Sequence, residues 1–560
     1  MTCSAIRATL TCLLLALAGT LSPLGAQGGR ARTTTAITVA DLRTRLFLIA
    51  DDSMMGRETG SKGDFQTAEY VASEFKRLGL KPAGENGDWF QTVPFWIGSP
   101  VATTLTIDNG PTLHWGIDYT LPGFAGVPTS GPVAVIYGGT ENDPASWITV
   151  QQSAGKLVVL DLRPDSAGNR NLPPLLPILR AAQFAHAVGL AVVRLDGLTP
   201  GAVANGMRFT PRPDTSRIAG TPALLSISTR TADLLLGASV STLQAGAPGR
   251  IVRGDMTLKY APVKYPARNV IGILPGRDPA LRGEYVSVTG HNDHVGICMS
   301  AVDHDSMRAF LHVLRPMGAD TRTWNETPEA DREINRMIDS MRKLRPARAD
   351  SICNGADDDG TGTVAILELA ESFAGMPMAR RPRRSILFVS HVGEERGLVG
   401  SAWYTDHATV PIDSIVAEID EDMIGRGTAW DLPKGGPGYL EVVGARRLSN
   451  EFGDLLEAAN ATQRVPFVFN YEFDVPGHPL QYYCRADHYS YARYGIPSVA
   501  FSRGEHLDYH QVTDEAQYVD YPDMLRVINM VHDAVLRIAN LDHAPKLDHP
   551  RGDPHAVCRQ

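Results

Sequence analysis

Ser385-Ile-Leu-Phe-Val-Ser-His391 runs straight into Val392-Gly-Glu-Glu-Arg-Gly-Leu-Val-Gly-Ser401. The first run is short, apolar and β-branched, as a strand buried on both faces should be. The second is a Gly-rich loop bearing two adjacent carboxylates. Four more runs read as strands: Asn269–Leu274, Tyr285–Thr289, Ser414–Ile419 and Pro497–Phe501. Helical pattern lies between and after them at Thr363–Ala374, with Gly375 as its stop, and at Met524–Ile538. Such alternation predicts an α/β fold, a mostly parallel sheet flanked by helices.

In open parallel sheets, ligands bind beyond the carboxyl ends of the strands. Polar clusters occupy those places here: His291-Asn-Asp293, Asp357-Asp-Asp, Glu394-Glu395, Asp422 and Tyr509-His510. Taken alone, His291-Asn-Asp293 is more often a loop histidine beside an Asx-turn than a metal ligand. Asn354-Gly-Ala-Asp-Asp-Asp-Gly-Thr-Gly362 is more specific, because three adjacent aspartates repel one another unless a cation neutralises them. A helix-capping or calcium loop is its alternative. Adjacent Glu394 and Glu395 diverge, so one can bind metal while the other faces water; a solvated acidic loop is the competing reading. Asp293 and Asp514 are placed to orient His291 and His510 through their second ring nitrogens. Two His, two Asp and one Glu, with a spare Glu as base, suit a pair of zinc ions.

Outward from this region the texture changes. Phe65–Leu80 is amphipathic and helical, with Gly79 at its end. From about Val101 to Gly249, short β-type runs (Val133–Tyr137, Lys156–Asp161, Gly189–Arg194) and one helix over Leu179–Val188 predict a separate, inserted α/β module. Residues 299–352 interrupt the strand–helix rhythm with charged helical sequence, notably Pro328–Leu344. The chain has 560 residues, of which 43% are apolar and 21% charged, values of ordinary globular proteins, and it is long enough for two domains. A net charge of −9 without a basic stripe argues against nucleic acid as a partner.

The N-terminus has the pattern of a signal peptide over residues 1–26: Arg7, the apolar run Ala8–Ala18, and Leu24-Gly-Ala26 before the cleavage site. The run is too short to span a bilayer, so a secreted or periplasmic location is expected. Cys298, Cys353, Cys484 and Cys558 would remain, which permits two disulfides. Cys298 and Cys353 bracket residues 299–352 and are expected to pair, with Cys484 and Cys558 as the other pair; free thiols or pairing with Cys484 are the alternatives.

The order HxD, GADDDGTG, GEERGLVGS, DMIG, YH resembles the M28 family of zinc peptidases, which includes secreted aminopeptidases and relatives of glutamate carboxypeptidase II. Met55-Gly-Arg-Glu-Thr-Gly60, Ala486-Asp-His-Tyr-Ser-Tyr491 and Gly495-Ile-Pro497 agree with it. The resemblance implies a di-zinc exopeptidase domain over 38–98 and 259–545, with residues 99–258 similar to an inserted protease-associated (PA) domain. It implies His291, Asp357, Glu395, Asp422 and His510 as ligands of two Zn²⁺, with Asp357 bridging. Glu394 would be the general base, Asp293 the orienter of His291, and Tyr509 a stabiliser of the oxyanion. The implied substrate is a peptide with a free N-terminus, held by an acidic rim including Glu421 and Asp358. Three other readings stay open: a carboxypeptidase, which needs a cation such as Arg396, Arg426 or Arg503 at the substrate carboxylate; a glutaminyl cyclase-like enzyme; and a non-catalytic binding protein on the same fold.

Overall fold

A computed structural model of the chain describes residues 33–120, 131–162, 178, 181–197, 203, 207–213, 223–315, 317–320, 327–549 and 552–560. The leader expected over residues 1–26 lies outside them. At the centre of the main sheet, Tyr285–His291 pairs in parallel with Ser385–His391 on one side and Ile415–Glu421 on the other. Ile415–Glu421 in turn pairs in parallel with Ser498–Ser502. Ala267–Leu274 and Tyr439–Val443 flank this group as antiparallel strands. Every residue of Ser385–His391 and Ile415–Glu421 is buried, as expected of strands covered on both faces. The four central strands are parallel and the strands flanking them pair antiparallel, so the sheet is mixed rather than mostly parallel, and the α/β class holds.

The helix Gly360–Gly375 is buried around almost its whole circumference, between the sheet and the helices Val39–Ile49 and Tyr521–Asn540. Asp359 caps it by accepting from the Gly362 N–H, and the start of the helix is thereby fixed beside the sheet's carboxyl edge. The strand Tyr439–Val443 was not anticipated. Its run, Tyr-Leu-Glu-Val-Val, alternates only weakly and sits among Pro and Gly, so pairing with Ser498–Ser502 decides its conformation.

A second sheet, with its own hydrophobic core, is built from strands between Trp96 and Pro262. Its longest strands, Trp96–Ile107 and Pro248–Pro262, pair antiparallel from Val252↔Ile107 to Pro262↔Trp96, so both connections to the main sheet leave side by side. The helix expected over Leu179–Val188 is not formed: its described part is a single turn, Ala182–Phe184. Val188 leads directly into the strand Gly189–Val193, donating to the Lys156 carbonyl and accepting from Ala223 N–H.

The described residues of 299–352 form an outgrowth rooted in an antiparallel pair, Gly296–Asp303 with Ala349–Cys353, and carry the helices His304–Leu314 and Pro328–Arg342. Arg342 and Arg345 are spent on Asp305 within this outgrowth. It is also tied to the loop after Ser502: Arg308 meets Asp508 at 2.8 Å, Arg315 donates to the Leu507 carbonyl at 3.0 Å, and Ala319 N–H donates to the Glu505 carbonyl at 3.0 Å.

Both disulfides, Cys298–Cys353 and Cys484–Cys558, are present. The first closes 55 residues at the root of the outgrowth. In the chain-entropy account a loop of that size contributes about 4 kcal/mol. Replacing Cys298 and Cys353 together by Ala is expected to lower the thermal midpoint clearly; unchanged unfolding by calorimetry would show that the root holds without the bond.

Candidate metal centre

Three consecutive residues with positive φ, Met55 (51°), Gly56 (64°) and Arg57 (48°), fold the segment after Asp51 into a tight hook. A Cβ on Gly56 would lie 2.3 Å from the Cys353 carbonyl, so the hook requires glycine there. It buries Arg57 completely. The guanidinium donates to the carbonyls of Asn292 (2.9 Å), Asn354 (2.5 Å) and Gly355 (2.8 Å). One side chain thus clamps the loop after His291 against the loop that carries the three aspartates.

Two groups of donor atoms converge there. His294, Asp358, Glu395 and His510 form one; His291, Asp358 and Asp422 form the other. In the first, Glu395 Oε1 lies 2.8 Å from His294 Nδ1 and 3.0 Å from His510 Nε2, and Asp358 Oδ2 lies 3.0 Å from His510 Nε2. In the second, His291 Nε2 lies 3.3 Å from Asp358 Oδ1 and 3.8 Å from Asp422 Oδ1. Asp358 turns one oxygen to each group and is the residue they share. Glu394 Oε2 stands 3.8 Å from His291 Nε2, beside the second group.

The residues present fit a metal. His291 Nε2, His294 Nδ1, Asp358 Oδ2, Glu395 Oε1, Asp422 Oδ1 and His510 Nε2 are all buried without a hydrogen-bond partner. Six such orphans converging on one place are otherwise costly, and imidazole with carboxylate is the donor chemistry zinc takes.

The three adjacent aspartates divide their labour, and Asp357, expected as the bridge, is not in either group. Its Oδ1 accepts from the Gly425 N–H at 2.6 Å and the Thr361 hydroxyl at 3.0 Å, while Oδ2 faces His506 at 3.3 Å. Asp359 accepts from the N–H of His291 at 3.0 Å as well as from Gly362. Only Asp358 is left to face the donors. Asp514 sets this turn from below, accepting from the N–H groups of Asp357 (3.0 Å) and Asp358 (3.1 Å), rather than orienting His510.

Asp293 also differs from expectation. His291 Nδ1 meets the Asp293 main-chain carbonyl at 3.0 Å, with the carboxylate farther off at 3.7 Å. That carboxylate accepts from Gly393 N–H (2.7 Å), Glu394 N–H (3.2 Å) and the Thr59 hydroxyl (2.7 Å), so it positions the turn bearing Glu394. Tyr509 stacks on the His510 ring at 3.9 Å. His510 and Met423, flanking the site, have φ of 57° and 61°, a left-handed backbone held by their surroundings. His294 and Asp358 were missed among the donors; the signal for His294 was its place in His291-Asn-Asp-His294, three residues from a candidate ligand.

Electrostatics agree with this partition. Burial alone would depress His510, but Glu395 and Asp358 outweigh it and push it up to about 10. Burial and Asp358 would raise Glu395, but His510 and His294 outweigh them and hold it at about 2. The donor carboxylates thus call for positive charge, which a cation supplies while leaving the imidazoles neutral. Burial, foremost, raises Glu394 well above the usual carboxylate range, as suits a group that both takes and returns a proton.

Residues 269–535 match the family model "Peptidase family M28". Leucine aminopeptidase 1 of Paracoccidioides brasiliensis is 30% identical over 194 residues, covering 33% of this chain and 46% of that protein. A probable zinc metalloprotease of Pyricularia oryzae is 26% identical over 220 residues, covering 33% and 42%. The chain spans less than half the length of these curated relatives. Among solved structures, BSAP, a zinc aminopeptidase from Bacillus subtilis, aligns with a TM-score of 0.50 at 16% identity over 90% of this chain and 95% of that one; the likeness is one of fold.

Asp358→Asn is expected to abolish retention of zinc after dialysis. Asp357→Asn, whose partners are a main-chain N–H, a hydroxyl and the His506 ring, should weaken it by about 10–100-fold. Elemental analysis of both variants checks the assignment, and equal loss in the two would reverse it.

Proposed function

The chain carries a peptidase family M28 domain, and on that premise we propose that it is a di-zinc exopeptidase, specifically an aminopeptidase. The observation that carries this reading is the sharing of Asp358 by two donor groups with Glu394 beside them. His291, Asp358 and Asp422 would hold one Zn²⁺; Asp358, Glu395 and His510, joined by His294, would hold the other. Zinc bound there supplies Lewis acidity, polarising a substrate carbonyl and acidifying a water.

The chain's own groups supply the rest. Glu394, half-buried and raised, takes the proton of the attacking water and returns it to the leaving amine. The Asp293 carboxylate holds the Glu394 turn in place through two N–H groups. Tyr509, stacked on His510 and lining the same pocket as Glu394, is positioned to donate its hydroxyl to the oxyanion.

The choice of substrate end rests on where the arginines are spent. Arg396 is engaged with Glu58 at 2.8 Å, Arg426 with Asp431 and Asp508, and Arg503 with Asp523 at 3.0 Å. Each is thereby engaged within the protein rather than held out as a clamp for a substrate carboxylate. Glu421, expected at an acidic rim, is instead fully buried and absent from the pocket lining, whereas Asp358 and Glu394 do line it. We read the second sheet as the PA-like domain and the outgrowth as walls of the site, since both donor groups lie outside them. Arg208, in a loop between the strands Gly189–Val193 and Ala223–Ile227, does reach Glu58, next to Arg396. Two disulfides support an exported protein.

One short peptide in free, N-acetylated and C-amidated forms tests the reading. Cleavage of the free and amidated forms, abolished by chelator and restored by zinc, is expected; cleavage of the acetylated form with rejection of the amidated one would make it a carboxypeptidase. Glu394→Gln is expected to keep its zinc while turnover falls by roughly 10²–10⁴-fold; near-normal turnover would remove Glu394 from the mechanism.

A further inference from the structure

Glu58 follows the Arg57 hook directly and stands between two loops that carry donors. Its main chain bridges in parallel to His294. A Cβ on Gly296 would lie 2.6 Å from the Glu58 Cβ, so the strand that begins at Gly296 packs tightly against it. On its other side the Glu58 carboxylate accepts from Arg396 at 2.8 Å. Arg396 closes the turn Glu394–Arg396, which also carries Glu395. Glu58 thus ties the His294 loop to the turn that bears one donor and the proposed base.

A second cation reaches the same carboxylate from outside the main sheet. Arg208 donates both to Glu58 and to the Ile297 carbonyl. The segment that bears it is seated on the second sheet from both sides. After it, Arg212 exchanges two main-chain hydrogen bonds with Trp96, at 2.8 and 2.9 Å, and the Phe209 ring meets Trp115 at 6.4 Å. Before it, the Met207 sulfur fills the space over Gly116, where a Cβ would lie 3.0 Å away. Burial, foremost, raises Glu58 above the usual carboxylate range, and the two arginines oppose that rise. Charge-assisted hydrogen bonds from two guanidinium groups fix the direction of one carboxylate, which a single partner leaves free to turn.

We infer that Arg208 is a positioning residue for the metal centre: through Glu58 and Arg396 it sets the turn that carries Glu394 and Glu395. The part that concerns turnover rests on the exopeptidase reading above, whereas the part that concerns Glu395 rests on the donor geometry alone. Arg208 holds the Glu58 carboxylate against Arg396, and the turn is thereby kept facing His294 and His510, which Glu395 meets at 2.8 and 3.0 Å. Without Arg208 the carboxylate swings with Arg396, and Glu395 and Glu394 lose their fixed directions. Groups that orient ligands in this way act on metal affinity and on turnover together.

The test measures zinc affinity by competition with a chelating dye, beside kcat and KM on leucyl amidomethylcoumarin. In Arg208→Met, zinc is expected to bind about 10-fold more weakly and kcat to fall by a similar factor, with KM little changed. Arg208→Lys should recover part of both losses. In a Glu58→Ala background, replacing Arg208 should add nothing, because the two act in series. Arg253→Met is the control: it breaks an ion pair with Asp108, 2.7 Å long and also on the second sheet, and should leave zinc affinity unchanged. Wild-type zinc affinity in Arg208→Met, a loss of the same size with Glu58 already replaced, or an equal loss in Arg253→Met overturns the inference. Should Glu58→Ala not fold, Arg396→Met serves as the background with the same two outcomes. Failure of the wild type to cleave any aminoacyl substrate removes the exopeptidase reading, while the zinc titrations still decide this one.

Discussion

The centre of this molecule is a concentration of carboxylates that have been taken out of water. Asp293, Asp357, Asp358, Asp359, Asp420, Asp487 and Asp514 are each no more than 3% exposed, and Glu394, Glu395 and Asp422 stand among them. Buried like charges are costly unless something answers them. Three kinds of group do so here. Main-chain N–H groups take Asp293, Asp357, Asp359 and Asp514; Arg57 neutralises the region by its position while its donors hold three loop carbonyls; and three histidines face the carboxylates that no N–H group satisfies. What is left unanswered is a set of orphaned atoms in two clusters, which is the physical definition of a cation site.

The deeper layer bears the same strain differently. Burial, first of all, lifts Asp420 and Glu418 well above their usual range, and Asp487 to about 7. His391, buried beneath the loop that bears Glu394, is pushed down to about 3 by the same loss of solvent, and its ring meets the Tyr491 hydroxyl at 3.0 Å. Groups that lack a counter-charge are thus pushed towards neutrality under the site, while Asp358 and Glu395, which face histidines, are held below the usual carboxylate range. The outgrowth of residues 299–352 extends this economy outward: through Arg308 and Arg315 it holds the segment that carries Tyr509 and His510.

Much of this was legible along the chain. Buried parallel strands are continuous apolar runs, and the loops that follow them are Gly-rich and polar, so the α/β class and the five clusters could be read from local composition alone. His291, Glu395, Asp422 and His510 do converge, as does Glu394, because each follows a strand whose carboxyl end lies at one edge. The pairing of Cys298 with Cys353 followed from their bracketing of the outgrowth.

Where neighbours in sequence had to be told apart, local reading failed. Asp357, Asp358 and Asp359 are chemically identical and adjacent; only the directions imposed by Asp514, Gly425 and Gly362 decide that the middle one faces the donors. The same holds for Asp293, whose carbonyl and carboxylate divide between His291 and the Glu394 turn. Residue type and strand periodicity are local properties, and the sequence by itself determined the fold class and the chemistry of the donors. Which oxygen points where depends on hydrogen bonds between residues tens to hundreds of positions apart, and only the tertiary structure decided that.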